Sequence, residues 1–234
     1  MKKTIIKNGI TILIACGFLL ISACKKDFDK INDNPNAPKI VPNSFLLAGA
    51  EKGLIDFTWD RWWNGSVGML LAQYYAENQY TDESQYKFRT QITKDYWNYF
   101  YAGGSSSVST ATSTVDLGGL KELQTIIDSC NKNPLYSVKY GNLNNQKAVA
   151  TILQVWMVQN ITDTWGDVPY SEALMDVKNT QPKYDKQRDI YLSLLAKLDS
   201  AAKWIDVSQS DLQGDLIYAG DMSLWSKFLN SLKL

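Results

Sequence analysis

Through long stretches of this sequence apolar side chains recur three and four residues apart, and nowhere do they alternate with polar ones as a half-buried strand requires. Ile190, Leu194, Leu198, Ala201 and Ile205 step by four, four, three and four. Val149, Ile152, Leu153 and Trp156 keep the same rhythm, and so do Trp225, Phe228, Leu229 and Leu232. The spacing predicts helices over residues 146–161, over 185–205 with Asp185 as cap, and from Gly220-Asp221 to the end. Three more complete the set. One runs through FLLAGAEKGLIDF behind a cap at Asn43 or Ser44. Another covers residues 62–77, with Val67, Leu70, Leu71 and Tyr74 on one face, and a short one covers 120–129. Residues 79–93 read as polar loop, 95–101 (DYWNYFY) as a dense aromatic patch, and 103–119 as a Gly/Ser/Thr surface loop. The fold class is therefore mainly α. It is expected as TPR-like antiparallel helix pairs with long irregular loops, although no period of about 34 residues can be laid over it.

The first 23 residues belong to another purpose. Lys2, Lys3 and Lys7 form a positive start without an acid, and residues 10–21 are almost continuously apolar. That apolar core is shorter than the ~20 residues a membrane span needs. It ends in Ile21-Ser22-Ala23-Cys24, which resembles the bacterial lipobox at all four positions. Residues 1–23 are thus expected to be a lipoprotein signal peptide and Cys24 the site of lipidation, with acyl chains such as palmitate holding the protein to a membrane. Residues 24–43, rich in Asn, Asp and Pro, read as a lipidated tether, and 44–234 as the helical domain. Lys25-Lys26-Asp27 resembles the surface-export signals of Bacteroidetes lipoproteins and points to the outer membrane, facing the cell exterior. Cys16 leaves with the signal, so Cys130 would be the one thiol besides Cys24, and no disulfide is expected.

Composition excludes more than it suggests. Cleavage removes three lysines and no acid from a chain that balances 24 basic against 24 acidic residues, leaving a net charge of −3. No basic stripe recruits nucleic acid. Histidine is absent, which removes Ser-His-Asp and Cys-His catalysis and His-ligated zinc, and no glycine-rich phosphate loop occurs. No cofactor, metal site or catalytic residue is expected. The unusual feature is aromatic: 8 Trp, 13 Tyr and 7 Phe, dominated by the two types with a polar tip.

Four stretches carry a family likeness: INDNPNAPKIV (31–41), TDTWGDVPYSEAL (162–174), PKYDKQRDIYLSLLAKLDSA (182–201) and DLIYAGDMSLWSKFLNSLKL (215–234). In this order behind a lipobox, they resemble the SusD/RagB family of outer-membrane nutrient-binding lipoproteins. The resemblance implies a helical fold built on TPR-like pairs. It also implies a lid on a SusC-like TonB-dependent transporter that captures oligosaccharides and passes them inward. The final apolar stripe still runs at Leu232 and Leu234, so the chain reads as the N-terminal portion of such a protein. A peptide-binding member of the same family, or a TPR-like scaffold without small ligand, are the alternatives.

Sugars present apolar C–H faces and a polar rim, so a binding site pairs Trp or Tyr platforms with amides and carboxylates. Three clusters offer platforms: Trp59, Trp62 and Trp63; Tyr80 and Tyr86; Trp97, Tyr99 and Tyr101. Asn64, Asn78, Gln79, Asp82 and Asn98 lie nearby in sequence. Trp62, Trp63, Tyr80, Tyr86 and Trp97 are the candidate ligand contacts. Packing between helices is the commoner use of Trp, but adjacent residues cannot both face inward, so either Trp62 or Trp63 is expected at the surface. Asp163 and Asp167 flank a tryptophan at a helix end and are read as local caps rather than as an acid/base pair. Changing Cys24 to Ser should abolish incorporation of labelled palmitate in cells and release the protein from the membrane fraction. Retention of label would place the anchor elsewhere.

Overall fold

The computed structural model describes residues 40–102, 119–175 and 178–234. The expected signal peptide, Cys24, nearly all of the expected tether and residues 103–118 of the expected surface loop lie outside the described residues. The chain divides into two compact units, Met1–Val41 and Pro42–Leu234, and the second is the one the described elements build. Among the described residues no helix is long and apolar enough to cross a membrane.

Helix α1 (Asn43–Thr58) is followed by a nine-residue π-helical segment (Arg61–Met69), then by α2 (Thr90–Ala102), α3 (Leu120–Lys132) and the single turn α4 (Pro134–Ser137). Next come the long α5 (Leu143–Trp165), two short strands β1 (Val168–Pro169) and β2 (Tyr184–Asp185), α6 (Gln187–Trp204) and α7 (Met222–Lys233). The mainly helical class is as the periodicity predicts. Helices α3 and α6 pack along α5, α1 packs on α3, and α7 closes against α5 and α6. The strands pair antiparallel, Val168 with Asp185 and Pro169 with Tyr184. Two residues each are too few to leave an alternating pattern in the sequence.

Helix α5 is the centre. Its buried residues include Ala148 to Val155 without a break, then Met157, Val158 and Ile161, so no polar stripe runs along it. Asn142 caps it, its Oδ1 accepting from Asn144 N at 2.8 Å and Asn145 N at 3.1 Å. Along α6, Ile190, Leu194, Leu198 and Ala201 are buried in the predicted steps, and in α7 Trp225 and Leu229 are buried. Asp221 caps α7 through Ser223 N at 2.8 Å.

Other boundaries differ from expectation, each for a local reason. Pro42 stands at the cap position of α1, and Asn43 instead turns inward, its Nδ2 donating to Gln146 Oε1 at 2.8 Å. Asp185 does not cap α6; its carboxylate accepts from Ser171 N and Oγ, and Asp167 reaches across to Gln187 N at 3.0 Å. The helix expected over 62–77 ends early. Its first part winds as π-helix, and Gln73 turns left-handed at φ 58°, so Leu71 and Tyr74 are exposed while Val67 and Leu70 remain buried. The aromatic patch proves to be the body of α2.

The loop before α7 rests on a buried acid pair. Asp215 accepts from Ile217 N, Tyr218 N, Gly220 N and the Trp225 indole at 2.7–3.0 Å. Beside it the buried Glu51 of α1 accepts from Leu216 N at 2.5 Å. Gly214 adopts φ 85°, and a Cβ there would fall on the Ser44 backbone, so only glycine lets this loop lie directly on α1. Burial, then the Asp215 charge, pushes the Glu51 carboxyl up to about 9. Folded Glu51 keeps its proton to about 9, whereas an ordinary carboxyl of this type releases it near 4.5. The folded state therefore binds the extra proton between those values, and stability falls as pH rises through that window. Glu51→Gln should raise stability at neutral pH by ~1–3 kcal/mol and flatten the decline. Urea unfolding from about pH 5 to about pH 9 checks this. An unchanged slope would mean that Glu51 is not the group responsible.

Candidate functional site

The helical spacing of YWNYFY sorts its rings onto two faces. Tyr96, Tyr99 and Phe100, at i, i+3 and i+4, are buried against α1 and the core, with Phe57 stacked on Tyr99 at 4.3 Å. Trp97 and Tyr101, at i and i+4, form the other face. There Tyr101 Oη donates to the Pro169 carbonyl at 2.7 Å, and Trp97 meets Trp165 edge-on at 5.1 Å. Burial raises the Tyr96, Tyr99 and Tyr101 phenols well above their ordinary range, so all three stay neutral. A cavity of about 480 Å³ opens beside Trp97 and Tyr101, walled by Pro169, Leu174, Asn179 and Pro182. Lys121 at its edge donates to the Leu174 carbonyl at 3.2 Å.

The adjacent tryptophans of the π-helical segment part company. Asp60 Oδ1 accepts from Trp63 N at 2.5 Å and fixes the start of the segment. Trp63 turns inward and stacks on Tyr96 at 3.9 Å, with Trp165 at 6.1 Å. Trp165 thus joins Trp63 to Trp97 in one continuous aromatic layer. Trp62 turns outward and is 42% exposed. The Arg61 guanidinium carbon lies 4.5 Å from its ring centroid and that of Arg89 lies 5.2 Å away.

Arg89 is itself held. Its Nε donates to Glu83 Oε1 at 2.6 Å and its Nη2 to Oε2 at 3.0 Å, while Glu83 is fully buried. Burial acts to raise the Glu83 carboxyl, but the Arg89 guanidinium together with the backbone N–H groups of Glu83 and Arg89 holds it below the usual carboxylate range. Tyr80 and Tyr86 lie on the same irregular stretch, 74% and 70% exposed, and both have left-handed backbone at φ 60°. Non-glycine residues reach that conformation at a cost of order 1 kcal/mol, and such outliers gather at functional sites. Tyr86 N donates to the Glu83 carbonyl at 2.9 Å, which ties it to the Glu83–Arg89–Trp62 group.

The structure thus divides the sequence candidates. Trp62, Tyr80 and Tyr86 are at the surface, as is Trp59. Tyr99 is buried, because the α2 face it shares with Tyr96 points inward, whereas Trp63 is half-buried, packed against the core by its stacking on Tyr96. Trp97 is half-buried at the cavity. Arg61, Arg89, Glu83 and Trp165 escaped sequence reading. A cation beside two tryptophans could have marked Arg61, whereas the six-residue Glu83–Arg89 spacing has no periodic signature. Asp163 accepts from Tyr191 Oη at 2.5 Å. Asp167 pairs with Lys186 at 2.5 Å, which holds its carboxyl below the usual range, and caps α6.

A SusD-like family model, described as "Starch-binding associating with outer membrane", matches residues 35–234. The chain belongs to the SusD-like family. Among curated proteins, none matches this SusD-like chain. Among solved structures it is similar to a chitin-binding protein, at 29% identity and a TM-score of 0.63, over 81% of this chain and 37% of that one. A SusD/RagB family protein from Bacteroides thetaiotaomicron shares 24% identity with a TM-score of 0.57, covering 83% of this chain and 37% of its own. A SusD homolog from Bacteroides fragilis shares 22% with a TM-score of 0.55, covering 82% and 35%. The SusD-like chain therefore spans little more than a third of the length of these relatives, and the last two similarities concern the fold.

The contrast between neighbours is testable. Trp63→Ala should cost ~3 kcal/mol of unfolding free energy, as removal of a packed aromatic does, and Trp62→Ala less than ~1 kcal/mol. Chemical denaturation of both variants reads the difference. Equal losses would show that Trp62 is also a packing residue.

Proposed function

We propose that this SusD-like protein is a cell-surface lipoprotein, anchored through Cys24, that captures oligosaccharides and passes them to a SusC-like TonB-dependent transporter of the outer membrane. The observation that carries the reading is Trp62, a ring held at the surface by two guanidiniums while its neighbour Trp63 packs against the core through Tyr96. The part of the indole that the guanidiniums leave exposed offers apolar surface to sugar C–H groups, and the adjoining N–H donors serve the hydroxyl rim. Tyr80 and Tyr86 supply further exposed rings, and the cavity beside Trp97 supplies a second surface on the same domain. Membership of a family described as starch-binding, and similarity to a chitin-binding protein, support a glycan over other ligand classes.

Isothermal titration with malto-oligosaccharides and chito-oligosaccharides tests the reading. One series should bind, and Trp62→Ala should weaken it about tenfold, equivalent to ~1.4 kcal/mol. Absence of binding to both, together with no outer-membrane barrel co-purifying from cells, would sink it. Peptide binding that survives Trp62→Ala would favour the peptide-binding alternative.

A further inference from the structure

We infer that Glu83 is a positioning residue for an oligosaccharide subsite made by Trp62 and Arg89; this rests on the glycan-binding reading and assigns that site its polar half. A carboxylate closed off from solvent within a three-residue turn on an exposed polar loop is unfavourable unless it is paired. Glu83 is paired on both oxygens, edge-on, with Nε and Nη2 of Arg89, and Arg89 N adds a weaker contact at 3.4 Å. Two parallel hydrogen bonds fix the guanidinium plane as well as its position. The remaining N–H groups, on Nη1 and the second Nη2 hydrogen, are left over beside the Trp62 ring, where the Arg89 side chain is 35% exposed. The result is a part-exposed indole with a fixed guanidinium over its ring and directed donors beside its open surface, the pairing of apolar surface and donors that a pyranose requires.

Charge narrows the ligand class. Glu83 neutralises Arg89, and Glu77 and Asp82 are near enough to act on its charge as well. Even with the Arg61 guanidinium over the same ring counted, these three acids outnumber the two guanidiniums, which suits the hydroxyls of an uncharged sugar better than a uronate or sulfate.

Two readouts separate this inference from the reading beneath it. The first needs no ligand. The Trp62 indole N–H resonance, assigned by its loss in Trp62→Phe, should shift in Glu83→Gln and Arg89→Lys and stay in place in the exposed control Lys87→Gln. The second is a double-mutant comparison by titration with whichever neutral oligosaccharide series binds. Glu83→Gln should weaken binding about tenfold, Arg89→Lys should weaken it similarly because an ammonium cannot make the two-pronged pair, and in the Trp62→Ala background Glu83→Gln should add less than about twofold. A Trp62 resonance unmoved by Glu83→Gln in the folded protein overturns the inference, as does an undiminished loss in the Trp62→Ala background. Preferred binding of acidic over neutral oligosaccharides overturns the assigned class. If the resonance moves while no oligosaccharide binds the unaltered protein, the positioning stands and the glycan reading falls.

Discussion

A helix buried on every side must find a partner for each polar atom it takes out of water, and α5 organises the whole molecule by meeting that requirement. Asn145 bonds the loop after α6 three times, to Asp206 N and O and to Gln209 O. Gln146 receives Asn43 from α1 and gives its own amide hydrogens to the Ser137 and Gly141 carbonyls. Gln154 reaches Leu120 O and Gln124 of α3. Three amides on one helix therefore pin four separate segments. An apolar residue at any of these places would leave carbonyls or amides of the surrounding loops unsatisfied, which costs more than the bonds themselves contribute.

Along α1 the same requirement is met only in part, since Asn43 Oδ1, Glu51 Oε1 and Thr58 Oγ1 are buried without a hydrogen-bond partner. Near its start, Asn43 and Gln146 share a bond while Gly214 allows the neighbouring loop to touch backbone on backbone. Further along, Glu51 and Asp215 are buried together, and the pair is tolerable because one carboxyl keeps its proton while the other takes four donors. After Thr58 the regular scaffold gives way to the π-helical segment and the irregular stretch to residue 89. Here the exposed rings Trp59, Trp62, Tyr74, Tyr80 and Tyr86 are found, outside the helix pairs but moored to them through Trp63 on Tyr96. A binding surface set on irregular chain needs such mooring, since loop residues otherwise lose entropy when a ligand orders them. Trp63 and the Glu83–Arg89 pair supply it from opposite ends of the segment.

The sequence by itself determined which stretches are helical wherever one face is apolar, because burial against a core leaves a three-and-four spacing, as in Ile190 to Ala201 and Trp225 to Leu229. It also marked the caps that act within their own turn, such as Asp221, and carried the family likeness in four short blocks. It could not decide between Trp62 and Trp63, since both occupy one step of the chain and only the docking of α2 sets which ring is covered. Nor could it see that Asp167, not Asp185, caps α6, or that Glu83 grips Arg89, because those partners meet through tertiary contact and not through any repeat. The class of fold is a property of periodicity, which is local. The platform, its donor and the buried acid that steers it depend on which segments are brought side by side, and that only the tertiary structure decided.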